Sequence, residues 1–203
     1  MLMAVFCLGA SLIGINAQEK DWANLQRYAQ QNAELPKPDK NEKRVVFMGN
    51  SITEGWVNTH PDFFKSNGYI GRGIGGQTSY QFLVRFREDV INLSPALVVI
   101  NAATNDIAEN TGAYHEDRTF GNIVSMVELA KANHIKVILT TTLPAAAFGW
   151  NPAIKDAPQK IASLNARLKA YAQTNKIPFV DYYSSMVSGS NKALNPAYTK
   201  DGV

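Results

Sequence analysis

Short unbroken apolar runs alternating with helix-length amphipathic stretches constrain this chain more than any other feature. Val45 to Met48, Gly68 to Ile74, Pro95 to Ala103, Lys136 to Leu143 and Ile177 to Tyr182 read as five strands, with ALVVINAA inside the third as the strongest core segment. Continuous apolar runs of this length suit strands buried on both faces of a parallel sheet. Between them, Thr78 to Asn92 carries Phe82, Leu83, Phe86, Val90 and Ile91 at helical spacing. Arg118 to Asn133 does the same through Ile123, Val124, Val127 and Ala130, and Pro158 to Asn175 through Ile161, Leu164, Leu168 and Tyr171. A shorter helical piece opens at Thr59-His60-Pro61. Alternating strands and helices imply an α/β fold, a three-layer α/β/α sandwich around a five-stranded parallel sheet joined by right-handed crossovers.

The rest of the chain adds an amino-terminal appendage. Met1 to Ala17 is uncharged and mostly apolar, too short to span a bilayer, and followed by polar QEKDW. It is expected to be a secretory signal peptide cleaved near Ala17, which places the mature protein outside the cytoplasm or in the periplasm. Cys7, the only cysteine, lies within it, so the mature chain has neither a disulfide framework nor cysteine chemistry. Residues 18–43 should form an N-terminal helix from Asp21 to Glu34, carried by Trp22, Leu25, Tyr28 and Ala29 and stopped by Pro36 and Pro38, and then a linker. Residues 44–203 make one domain.

Three polar turns fall at strand ends that a parallel sheet gathers on one edge, where ligands of open α/β sheets bind. Gly49-Asn50-Ser51 follows the first strand, Gly75-Gly76-Gln77-Thr78 the second and Thr104-Asn105-Asp106 the third. A serine hydroxyl there is placed to act as a nucleophile, and a glycine N–H, an asparagine amide and the serine N–H are the donor types that stabilise a developing oxyanion. Taken alone, the first turn reads better as a helix cap formed by Asn50, Ser51 and Thr53, because strand-turn-serine sequences are common.

The three blocks together change that balance. GNSITEG resembles the glycine-aspartate-serine block of the SGNH, or GDSL-like, esterases, with Asn50 in place of the aspartate; GIGGQTS resembles their glycine block and AATND their asparagine block. The resemblance runs from Arg44 to the C-terminus and implies a flavodoxin-like hydrolase fold. It further implies Ser51 as nucleophile, with the Ser51 N–H, the Gly76 N–H and the Asn105 amide forming the oxyanion hole. The family's last block sets an aspartate three residues before a histidine. Asp201 resembles that orienting acid, and the histidine would be the residue after Val203. The chain as far as Val203 is therefore expected to be close to inactive, because losing a general base removes on the order of 10²–10⁴ in rate. The expectation is that the natural chain continues; the competing reading is a non-catalytic homologue that binds glycans. His60 and His115 sit in capping or loop contexts, and His134 lies at the amino end of the fourth strand, on the wrong edge.

Trp56, Phe148 and Trp150 flank the same edge and could stack on a sugar ring or line an acyl pocket, although Trp56 and Phe148 read equally well as packing. With no long apolar insertion to cover a lipid chain, a short acyl ester such as acetyl, carried on carbohydrate, is the expected substrate. Lysophospholipases and thioesterases of the same family are the alternatives. The charge of +3 is spread without basic clusters, which excludes a nucleic-acid partner, and the separated histidines exclude a metal site. The glycine run Gly71 to Gly76 lacks the acidic ribose partner of a dinucleotide site, so no cofactor is expected.

Overall fold

The computed structural model describes residues 21–199 and residue 202. The expected signal peptide, residues 1–17, lies outside the described residues, as does Asp201. Five parallel strands form one sheet in the order β2-β1-β3-β4-β5: β1 Val45–Gly49, β2 Tyr69–Gly73, β3 Leu97–Ile100, β4 Lys136–Thr140 and β5 Phe179–Val180. In chain order the helices are α1 Ala29–Glu34, α2 Ser51–Thr59, α3 Pro61–Ser66, α4 Ser79–Asp89, α5 Thr104–Ile107, α6 Glu116–Ala132, α7 Ala157–Thr174 and α8 Tyr182–Met186. A small antiparallel pair, β6 Val187–Ser188 and β7 Ala193–Leu194, follows α8.

Alternation along the strands decides which face each residue serves. Val46, Met48, Val98, Ile100, Val137 and Leu139 are buried in one core with Phe82 and Phe86 of α4, Ile123 and Val127 of α6, and Ile161 and Leu164 of α7. The opposite face carries Phe47, whose ring meets Trp56 edge-on at 5.5 Å and Phe64 at 5.4 Å, so α2 and α3 cover the β1–β2 side.

The N-terminal helix expected over 21–34 is broken. Leu25–Arg27 is a 3₁₀ turn, Asn24 has a left-handed φ of 54°, and only α1 is α-helical. The Asp21 carboxylate takes the N–H groups of Leu25 and Gln26 at 2.8 and 3.0 Å, an arrangement that competes with a regular helix start. The freed carbonyls of Trp22 and Ala23 accept from Gln81 and Gln77. The third and fifth strands are also shorter than their apolar runs, because residues past Ile100 and Val180 turn to form α5 and α8.

Beneath the sheet edge lies a buried polar frame. Arg85 is fully buried and bonds the Gln77 Oε1 at 2.6 Å, the Asp89 carboxylate at 2.8 Å and the Gly49 carbonyl at 3.0 Å. Burial pulls its pKa down, and Asp89 opposes that shift. Arg85→Leu strands a buried carboxylate, so unfolding in urea is expected to show a loss of about 3–5 kcal/mol, with Arg85→Leu/Asp89→Leu recovering part of it. A loss under about 1 kcal/mol in the single variant would show that the frame is not structural.

Candidate active site

The strand order reverses between β1 and β3, and that crevice is where the polar turns meet. Gly49 ends β1, and Asn50 caps α2 by accepting the Ile52 N–H on its side-chain oxygen at 3.0 Å. The capping expected as an alternative role for this turn is therefore real, but Asn50 performs it. Ser51 becomes the first residue of α2, exposed, with its N–H among the orphan donors at the positive end of the helix.

Close approach presses the second turn against this helix. A Cβ at Gly73 would lie 2.3 Å from the Glu54 nitrogen and 2.6 Å from the Asn50 carbonyl, so only glycine lets β2 end so near α2. A Cβ at Gly75 would be 3.7 Å from that of Ser51, which puts the loop beside the hydroxyl. Gly76 has a φ of +75° and little around its Cβ position, the nearest atom being Asn110 Nδ2 at 3.9 Å. Its glycine requirement is thus conformational.

The third turn supplies the amide. Ala103 adopts a φ of 85°, a strained value for a residue with a side chain, and reverses the chain into α5. Asn105 is buried and donates through Nδ2 to the Gln77 carbonyl at 2.9 Å; an amide nitrogen carries a second hydrogen for another acceptor. Its neighbour Asp106 accepts from the Ser79 N–H at 2.9 Å, from the Ser79 hydroxyl and from Thr119 at 3.2 Å, which fixes the start of α4. Burial pushes the Asp106 pKa up, and the Ser79 bonds oppose it.

The aromatic residues divide. Trp150 is 51% exposed and its indole donates to Asn110 Oδ1 at 2.8 Å, while Asn110 Nδ2 donates to the Gly76 carbonyl at 3.0 Å. Trp150 therefore stands at the rim of the glycine loop. Phe148 is fully buried, its ring 5.3 Å from that of Trp150, and offers no face to a ligand; it props the tryptophan from below. Trp56 is half-buried, stacked on Phe63, and lines a cavity of about 470 Å³ that opens beside Ser51. Phe47, Val99, Leu143, Tyr182 and Met186 supply much of the remaining wall. His60 also lines it, with its Nδ1 2.9 Å from the Thr59 hydroxyl; His134, with a φ of 60°, lies at the start of β4, far along the strand from the site edge.

Two site residues escape a reading by motif. Glu54, one turn along α2 from Ser51, accepts the Gly75 N–H at 2.8 Å and pairs with Arg27 at 3.0 Å. Asn110 holds the next peptide but one. The signal for Glu54 was its i+3 spacing from Ser51 on a helix; Asn110, in a turn after α5, left none.

A model of the GDSL-like Lipase/Acylhydrolase family matches residues 47–202. The chain is similar to the crystal structure of a candidate acylhydrolase from Bacteroides fragilis, at 99% identity and a TM-score of 0.91 over 91% of this chain and 89% of that one. It is also similar to a GDSL-like lipase from Bacteroides thetaiotaomicron, at 78% identity and a TM-score of 0.88 over 89% and 88% of the two chains. The lipoprotein YqeF of Bacillus subtilis is 32% identical over 117 residues, which are 49% of this chain and 48% of that protein, so the chain spans about half the length of this curated relative.

Asn50 tests the local architecture. Asn50→Ala is expected to lower stability by about 0.5–2 kcal/mol through the lost cap, whereas Asn50→Asp, which keeps an acceptor at the helix start, should stay within about 0.5 kcal/mol. Denaturant midpoints of the two variants measure the difference, and equal stabilities would disprove the capping role.

Proposed function

The chain belongs to the GDSL-like lipase/acylhydrolase family, and on that premise we propose that it is an exported serine esterase that removes short acyl groups, acetyl foremost, from carbohydrate. The observation that carries this reading is the convergence at the β1/β3 crevice of an exposed serine at a helix start, a glycine loop beside it and a buried asparagine amide. In the proposed reaction Ser51 Oγ bonds to the ester carbonyl carbon and its proton passes to the histidine expected after Val203, which Asp201 would orient. The carbonyl oxygen takes up the negative charge among the Ser51 N–H, the Gly76 N–H and the Asn105 amide. The C–O bond to the alcohol then breaks as the histidine returns the proton to the leaving oxygen. Water, deprotonated by the same imidazole, finally releases the acid from the acyl-serine.

Trp150 supports the carbohydrate part of the reading. An exposed indole whose edge is tethered by Asn110 presents a fixed apolar face at the rim of the oxyanion loop, the kind of surface on which a sugar ring stacks. Export is supported by the uncharged apolar character of residues 1–17 and by the lipoprotein name of the Bacillus relative. A second reading, a lysophospholipase or thioesterase, is favoured by one observation: the apolar cavity beside Ser51 has room for more than an acetyl group.

Hydrolysis of p-nitrophenyl esters by the protein as its natural host makes it separates these readings. Ser51→Ala is expected to abolish turnover, and Asn105→Ala to lower kcat on the order of 10²–10³-fold. A Ser51→Ala protein that keeps most of its activity refutes the mechanism. A kcat/KM highest for acetate supports the proposed substrate class, and one that rises steadily to octanoate supports the second reading. Saccharide binding with no Ser51-dependent hydrolysis would mark a binding protein.

A further inference from the structure

The Gly76 N–H is the least constrained of the three proposed oxyanion donors. It sits in a Gly75-Gly76 pair, the most permissive backbone in the site, and among the described residues no backbone acceptor takes it. A donor on such a segment contributes to a transition state only if its direction is fixed before the charge develops. The two peptide groups flanking it are fixed, each by a side chain. On the amino side, the Gly75 N–H is held by Glu54 Oε2 at 2.8 Å. On the carboxyl side, the Gly76 carbonyl is held by Asn110 Nδ2 at 3.0 Å, and the following Gln77 carbonyl by Asn105 Nδ2 at 2.9 Å. With both neighbours pinned, the peptide that bears the Gly76 N–H is left with little rotation.

Glu54 is itself held. Its other oxygen pairs with Arg27 at 3.0 Å, in the turn that precedes α1. That turn is fastened to the same loop: the Tyr28 hydroxyl donates to the Gly73 carbonyl, and the Ala23 carbonyl accepts from Gln77 at 2.6 Å. The amino-terminal segment thus braces the glycine loop from outside while α2 grips it from the side that carries Ser51.

We propose that Glu54, oriented by Arg27, is a positioning residue that fixes the Gly75-Gly76 turn so that the Gly76 N–H points into the oxyanion hole; the inference rests on the serine-esterase reading above. Glu54 holds a backbone group and makes no hydrogen bond to Ser51 among the described residues. Its effect therefore falls on the transition state, where the donor matters most, and leaves ground-state binding nearly unchanged.

The test compares Glu54→Ala, Glu54→Gln and Arg27→Ala with the unaltered protein on p-nitrophenyl acetate, each in the form that its natural host makes. Glu54→Ala is expected to lose on the order of 10- to 100-fold in kcat, with KM changed by less than about threefold. Affinity for a boronic acid that mimics the tetrahedral adduct should fall in the same proportion. Glu54→Gln, which keeps an oxygen for the Gly75 N–H, should retain most of the activity, and Arg27→Ala should fall between the two. Amide exchange by NMR gives a readout independent of turnover: the Gly75 N–H should lose protection in Glu54→Ala and keep it in Glu54→Gln. The inference is overturned if Glu54→Ala keeps kcat within about twofold, if its loss lies wholly in KM, or if Gly75 protection is unchanged. Should the unaltered protein show no Ser51-dependent turnover, the esterase reading falls and this inference with it. That result differs from a failure of Glu54 alone, in which the unaltered protein turns the ester over.

Discussion

Arg85 organises the edge of the sheet from below. A guanidinium in a fully buried position is tolerated only when its donors are met, and here they are met by three different parts of the chain: the Gly49 carbonyl at the end of β1, the Gln77 side chain in the glycine loop and Asp89 at the end of α4. The carbonyl it holds is two residues before Ser51. Asp89 in turn accepts from Asn32, Asn32 accepts from Arg72, and the Arg72 guanidinium stacks over the Tyr28 ring at 4.7 Å. An apolar core would pack these elements together but leave their sliding unopposed. A directional donor with fixed partners sets one register between strand end, loop and helix, and the candidate site inherits it.

The apolar core does the complementary work. Phe82 and Phe86 seat α4 against Val46 and Met48, so the helix that carries Arg85 cannot withdraw without exposing that face. On the far side, the Phe47, Trp56, Phe64 and Tyr69 rings lock α2 and α3 over the β1–β2 edge through a series of edge-to-face contacts and one tilted contact, between Phe47 and Tyr69. Ser51 stands where the two systems meet: its strand is fixed by the first, its helix by the second.

The sheet and its helices were legible because periodicity reports burial directly: runs such as 97–100 and 137–139 are apolar whichever way tertiary structure bends their ends. The three site blocks were legible because each couples a turn residue to a chemical one. What stayed hidden depends on partners distant in sequence. The broken helix after Asp21 exists because Gln77 and Gln81 claim the carbonyls of Ala23 and Trp22, some 54 and 59 residues away. Phe148 read equally well as a rim aromatic and as packing by position along the chain; it is core because the turn around Gly149 sends one ring inward and leaves Trp150 outside. That Gly76 is needed for its dihedral angle and Gly73 for its lack of a side chain is a distinction that composition cannot make.

Asn110 joins the two halves of the proposed chemistry. Its amide nitrogen holds the Gly76 carbonyl and its amide oxygen holds the Trp150 indole, so one exposed side chain sets both the loop that carries the proposed oxyanion donor and the ring that stands at the rim. An asparagine can do this because its amide offers a donor and an acceptor at opposite corners of one rigid plane; aspartate would lack the donor, and leucine both. The indole cannot shift far without straining the bond that orients the peptide after the oxyanion donor. On the proposed reading, recognition of the alcohol and stabilisation of the acyl oxygen would share this rigid part, and a group bound against Trp150 would meet a loop whose geometry is already set.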